Sequence, residues 1–208
     1  MKENHFLKAL PKKTITVLFI FISLVVCMSF SFNAKENRNV NITKDSVESV
    51  KAFMQVYKVL MSPRCMNCHP SGDIPLQGDD SHLHAMLPKR GEDGKGVYAM
   101  KCSNCHQATN LEGLGKPPGN PNWHLPSSKM KMIFQGRTAN QLAKQLMNPT
   151  TNGNKTIAQL RAHADDGLVK AGWDPGDGRS IPPITHDAFK KAWNTWIEKG
   201  GFAPSANK

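Results

Sequence analysis

A mainly α, loop-rich fold is what the sequence predicts. Apolar residues recur at helical spacing in four short stretches, and three of these open with a capping residue placed three positions before Glu or Gln. The chain between them is rich in glycine and proline, 16 and 14 of 208 residues, which break helices and strands alike. No stretch alternates apolar and polar residues as a half-buried strand does. The first helix is expected from the Asp45/Glu48 cap, with Val47, Val50, Phe53, Met54, Tyr57 and Leu60 on one face, until Ser62-Pro63 stops it. Thr138 with Gln141 opens a second, carrying Leu142, Leu146 and Met147 up to Pro149. Thr156 with Gln159 opens a third, from Ile157 to about Ala164. The last runs from Asp187 to Lys199, and its face of Phe189, Trp193, Trp196 and Ile197 reads as core, expected also to pack on a cofactor. Residues 70–97, 110–128 and 148–155 read as loops.

Helices this few and this short leave much of the chain to be organised by something else, and a duplicated five-residue pattern supplies the candidate. Cys65-Met66-Asn67-Cys68-His69 and Cys102-Ser103-Asn104-Cys105-His106 are both C-x-x-C-H, the attachment signature of c-type haem. Two thiols three positions apart can each add to one vinyl group of the same porphyrin, and the adjacent imidazole then reaches the iron. The expected cofactors are two haem c, one bound through Cys65 and Cys68 with His69 on the iron, the other through Cys102 and Cys105 with His106. A structural zinc site built from two C-x-x-C knuckles is the bland alternative. Histidine is only 8 of 208 residues, and a zinc site does not require one directly after both pairs. A redox-active dithiol explains neither the duplication nor the histidines.

The N-terminus points to export. Lys2, Lys8, Lys12 and Lys13 precede an apolar run from Ile15 to Phe32, which reads as a signal peptide or a retained membrane anchor within residues 1–34. Cys27 is a poor lipoprotein site, because Val26 stands where a small residue is expected. Residues 35–208 are then one dihaem domain, periplasmic or held at a membrane by the N-terminus. Of the formal charge of +11, four lysines and one glutamate in residues 1–34 account for +3, leaving +8 on the exported part. Its lysines and arginines are dispersed, which argues against nucleic acid; the charge reads as a docking surface for an acidic partner or an anionic membrane, or as simple solubility.

What each iron does depends on its sixth ligand, for which histidine and methionine are the usual candidates. His82, His84, His124, His163 and His186 remain in the exported chain. His84 is the first choice, with His82 its rival, because both lie between the two motifs and can fold back on either. His124, beside Trp123 in a Pro/Gly-rich segment, is assigned to the second iron, with Met130 and Met132 in competition. The expected pairs are His69 with His84 and His106 with His124; His163 and His186 are read as surface or capping residues.

Arg64-Cys65-Met66-Asn67-Cys68-His69-Pro70, Gly78-Asp79-Asp80-Ser81-His82-Leu83-His84-Ala85-Met86 and Asn122-Trp123-His124-Leu125-Pro126 resemble the small exported dihaem cytochromes labelled as a subunit of isoquinoline 1-oxidoreductase. The likeness continues through Asn148-Pro149, Asn152-Gly153, Gly172-Trp173-Asp174-Pro175-Gly176-Asp177-Gly178-Arg179 and the last helix, covering nearly all of the exported chain. It implies an electron outlet for an exported molybdenum hydroxylase. About a third of the chain is also similar to the small dihaem subunit of periplasmic nitrate reductase, in which two histidines hold each haem and a Thr-His-Phe-Met-type segment supplies one of them. His84-Ala85-Met86 matches that segment, but no histidine lies between His5 and His69 to match that subunit's upstream ligand. The missing ligand is therefore expected downstream. Together these readings predict an electron-transfer protein with a redox partner protein and no substrate of its own. The rival class is a haem enzyme with one open iron, such as a dihaem peroxidase or an oxidase subunit; a sensor would need an output module, and the chain shows none.

Overall fold

The computed structural model describes residues 43–206, so the proposed export segment, its cleavage or retention and Cys27 lie outside the described residues. The chain divides into two units, Met1–Lys44 and Asp45–Lys208, and the second carries both motifs. It is mainly helical, as expected, with 37% helix against 5% strand. α1 covers 43–60. There follow α2 (Pro63–Met66), β1 (Leu76–Gln77), β2 (His82–Leu83), β3 (Gly96–Val97), β4 (Met100–Lys101), a 3-10 turn at Cys102–Asn104, α3 (Ala139–Met147), α4 (Ile157–His163), α5 (Gly167–Lys170), a second 3-10 turn at Ala171–Trp173, and α6 (His186–Glu198).

Of the three capping pairs read from the sequence, those at Thr138 and Thr156 form. The Thr138 and Thr156 side chains accept from the backbone N–H of Gln141 and Gln159, whose side chains accept in return from the capping residues. α6 begins one residue earlier than expected because Thr185 is its cap. α1 differs more. It is already helical at 43, so Asp45 caps nothing; Asp45 and Glu48 instead pair with Lys199 Nζ at 2.9 and 3.3 Å, tying α1 to the end of α6. Its inner face is Ser49, Phe53, Val56, Val59 and Leu60, while Val47 is 65% exposed. A serine sits inside because its hydroxyl is used twice, donating to Trp196 O at 2.9 Å and accepting from Phe202 N at 3.0 Å.

α1, α3, α4 and α6 share one core, in which Phe53, Leu142, Leu146, Leu160, Phe189, Trp193 and Trp196 are buried. The expected apolar face of α6 is core packed on protein: Phe53 and Trp196 ring centres lie 4.7 Å apart, and the indole N–H groups of Trp193 and Trp196 donate to Leu160 O and Phe202 O. Residues 70–97, read as loop, contain β1–β2 and the start of β3–β4, antiparallel ladders in register Leu76↔Leu83 and Gly96↔Lys101. Each strand has two residues, too few for any alternation to show in the sequence. Among the described residues no helix is long and apolar enough to cross a membrane.

Candidate functional site

The first motif is wound on α2. Ser62-Pro63 ends α1 and starts α2, with Ser62 O accepting from Cys65 N and Met66 N, and the turn continues through Cys68 N to Cys65 O and His69 N to Met66 O. His69 is then fixed from its far side. Its Nδ1 donates to Met132 O at 2.6 Å, and its ring stacks on Phe134 with centres 3.9 Å apart and planes 11° off parallel. Phe134 N closes the arrangement by donating to His69 O at 2.9 Å. Met132 holds φ at +47°, a left-handed conformation that costs a residue with a Cβ about 1 kcal/mol, and its carbonyl is the one that orients His69.

The second motif, wound on the 3-10 turn Cys102–Asn104, repeats the device with different parts. His106 Nδ1 donates to Pro118 O at 2.7 Å, and its ring stacks on Trp123, centres 4.1 Å apart and planes 9° off parallel. Two glycines allow these loops to approach. A Cβ on Gly119 would lie 2.0 Å from Thr109 O, and one on Gly94 would lie 1.8 Å from Leu125 O, so neither position tolerates a side chain as the backbone stands.

A carbonyl can only accept, so both bonds put the proton on Nδ1 and leave Nε2 with a free lone pair. That is the tautomer of an imidazole about to bind a metal, with its other nitrogen donating to a backbone carbonyl. Burial reinforces the neutral state: it pushes the His69 pKa down to about 4, against the opposing pull of the Met132 bond, and lowers that of His106 as well.

None of Cys65, Cys68, Cys102 and Cys105 is in a disulfide. Burial pushes the Cys65 and Cys68 thiols up to about 12 and about 11, the reverse of what an activated dithiol needs. Both residues are half-buried, and Cys65 packs against the hydrophobic core. Cys102 and the guanidinium groups of Arg64 and Arg90 all act on Cys68, which places the two motifs within electrostatic reach of each other. A zinc site made from both pairs would need its donors to converge, and among the described residues no three His, Cys, Asp or Glu side chains do so.

Two imidazoles do come together at the second motif. The rings of His84 and His106 lie with centres 6.3 Å apart and planes 64° from parallel. His106, and His84 beside it, are the imidazoles that would hold a metal bound at the second motif. His84 reaches this place because the β1–β2 ladder delivers it, His84 N donating to Pro75 O at 3.0 Å. Among the described residues His84 thus has a ring contact with His106 and none with His69, and its Nδ1 accepts from Met86 N at 3.3 Å. His124 sits on the loop of Trp123, with Nδ1 bonded to Asn122 O at 2.5 Å, and no ring contact joins it to His106 among the described residues. His82 is exposed and its Nδ1 pairs with Asp80 at 2.6 Å. Met132, expected to compete for the second iron, serves the first motif through its carbonyl.

Two arginines complete the surroundings. Arg90 is 1% exposed, with Nη1 and Nη2 donating to Pro126 O and Gly72 O, and Arg64 donates to Asp79 Oδ1 at 2.6 Å. The buried Nε of Arg64 has no hydrogen-bond partner, while that of Arg90 lies 3.8 Å from Asp73 Oδ1. Leu83, Met86 and Leu87 around His84, and Leu111 and Leu114 after the second motif, are exposed apolar side chains. Free Nε2 lone pairs after unpaired thiols, the unmatched Nε of Arg64 and uncovered apolar surface are together what a propionate-bearing macrocycle would use.

No known family model, no curated protein and no solved structure matches this chain. Phe134, the carbonyls of Met132 and Pro118, and the arginines were not readable as site residues, since no local pattern marks them. Trp123 was, through its place beside His124 in a Pro/Gly-rich segment.

Proposed function

We propose that this chain is an exported electron-transfer protein carrying two covalently attached c-type haems. One observation supports this most: the same orienting device, a carbonyl on Nδ1 and an aromatic ring on the imidazole face, stands behind the histidine of each C-x-x-C-H motif. Haem iron supplies reversible one-electron chemistry between its ferric and ferrous states. The chain's own residues do the rest. Cys65, Cys68, Cys102 and Cys105 attach the two groups, and His69 and His106 present Nε2 to them. His84 faces His106, and the Nε of Arg64, which has no hydrogen-bond partner, is a donor for a carboxylate. The +8 of residues 35–208 suits an acidic redox partner such as an exported molybdenum hydroxylase.

The test is carbon monoxide added to the dithionite-reduced protein, alongside a potentiometric titration. An electron carrier with both irons six-coordinate leaves its spectrum unchanged and titrates reversibly as two one-electron centres. Carbon monoxide binding at one iron of the native protein would instead favour the dihaem-enzyme class.

A further inference from the structure

The two motifs share a residue that C-x-x-C-H does not require: each is Cys-x-Asn-Cys-His, with Asn67 in the first and Asn104 in the second. The two side chains do the same thing. Asn104 Nδ2 donates to Ala99 O at 2.7 Å, in the turn between β3 and β4, and Asn67 Nδ2 donates to Gly78 O at 2.9 Å, where the chain leaves β1 to turn back into β2. Asn67 is buried and its Oδ1 has no hydrogen-bond partner, so the bond to Gly78 is what its amide contributes.

The consequence differs between the two. Asn104 pins the hairpin that leads into its own motif, whereas Asn67 pins one whose far strand leads to the other motif. Asn67 O also accepts from Leu76 N at 3.0 Å, so the backbone and side chain of one residue hold β1 at its start and just past its end. Arg64, next to Cys65, adds a tie at the same turn, with Nη2 donating to Gly78 O at 3.2 Å and to Asp79 Oδ1 at 2.6 Å. From β1 the connection runs on to His84. Leu76 and Gln77 pair with Leu83 and His82, Pro75 O accepts from His84 N at 3.0 Å, and Gln77 Oε1 accepts from Ala85 N at 2.9 Å. The His84 ring then lies 6.3 Å, centre to centre, from that of His106. Every link between Asn67 and His106 is a hydrogen bond, a ladder pair or a ring contact.

We infer that Asn67 is a positioning residue for His84: a side chain inside the first motif sets, through β1, the imidazole that stands beside His106 at the second. The inference rests on the reading of both motifs as haem sites with His84 at the second iron.

Mature protein from cells with a cytochrome c maturation system carries the test, as wild type, Asn67→Ala, His84→Ala and the double variant. Each is assayed for covalent haem by pyridine haemochrome, for carbon monoxide binding after reduction and for spin state by electron paramagnetic resonance. With two haems per chain retained, half of the reduced haem in His84→Ala should bind carbon monoxide. Asn67→Ala should show the same species in a smaller share of the protein, because Arg64 still holds Gly78, and the double variant should match His84→Ala alone. If Asn67→Ala does not accumulate, Asn67→Asp, which keeps the shape and loses the donor, takes its place. Wild-type spectra in the Asn67 variant, or a change that adds to that of His84→Ala in the double variant, would overturn the inference. Two carbon monoxide-silent haems in His84→Ala would overturn the placing of His84 at the second iron, and fewer than two covalent haems in the wild type would overturn the haem reading itself; the inference falls with either.

Discussion

Phe134 joins the core to the first motif, and replacing it separates the two roles. Its side chain is 5% exposed, belongs to the cluster of Phe53, Leu142 and Trp196, and lies 3.9 Å from the His69 ring centre, nearly parallel. Phe134→Ala empties most of that volume and should lower the unfolding free energy of the haem-loaded protein by about 4 kcal/mol. Phe134→Leu keeps much of the volume and loses the stack, for about 1 kcal/mol. The backbone bond from Phe134 N to His69 O survives both changes, so the motif should still form. Denaturant unfolding followed by tryptophan fluorescence gives the stabilities, and a potentiometric titration of Phe134→Leu should show one haem potential displaced and the other unmoved. Trp123→Leu should displace the other one, at a smaller stability cost because Trp123 is only half-buried. A Phe134→Ala penalty below about 1 kcal/mol, or equal displacement of both potentials by Phe134→Leu, would refute this division of the site.

Ser49→Ala removes a hydroxyl that satisfies Trp196 O and Phe202 N in the core; thermal or denaturant unfolding should register a loss of about 2 kcal/mol, and no loss would mean that the serine is incidental. Asp79 accepts from Ser180 N and from Arg64, and these partners, the Ser180 bond first, hold its carboxyl below the ordinary value of about 3.9. With a depressed folded pKa, its contribution is present above about pH 4 and fades as pH falls through the folded value. The stability gap between wild type and Asp79→Ala should therefore shrink between pH 6 and pH 3, modestly because the carboxylate is half-exposed; a constant gap would contradict the pairing. Electron exchange with the physiological partner should slow as salt rises, given the +8 of residues 35–208, and salt-independent rates would remove the electrostatic docking surface.

What the sequence disclosed was local. The capping boxes at Thr138 and Thr156 are four-residue patterns with their own hydrogen bonds, and both form as read. The expected face of α1 holds at Phe53 and Leu60, with Met54 and Tyr57 against the core, and fails at Val47, because Ser49 is buried by partners 147 and 153 residues away, which no local pattern reveals. The same limit holds at the site. C-x-x-C-H names the thiols and the near imidazole, but which histidine faces the second motif depends on a two-residue ladder, and His84 meets His106 through β1–β2. His163, read as a surface or capping residue, is exposed at the end of α4. The carbonyls of Met132 and Pro118 have no signature in sequence, because any residue has a carbonyl.

The central claim, two covalent haems, is tested most directly by counting them. Denatured, intact protein from a cell with cytochrome c maturation should carry two haems per chain by mass and by pyridine haemochrome, one fewer in Cys68→Ala and one fewer in Cys105→Ala. Wild-type chains with one haem or none, or with zinc bound in their place, would contradict the account.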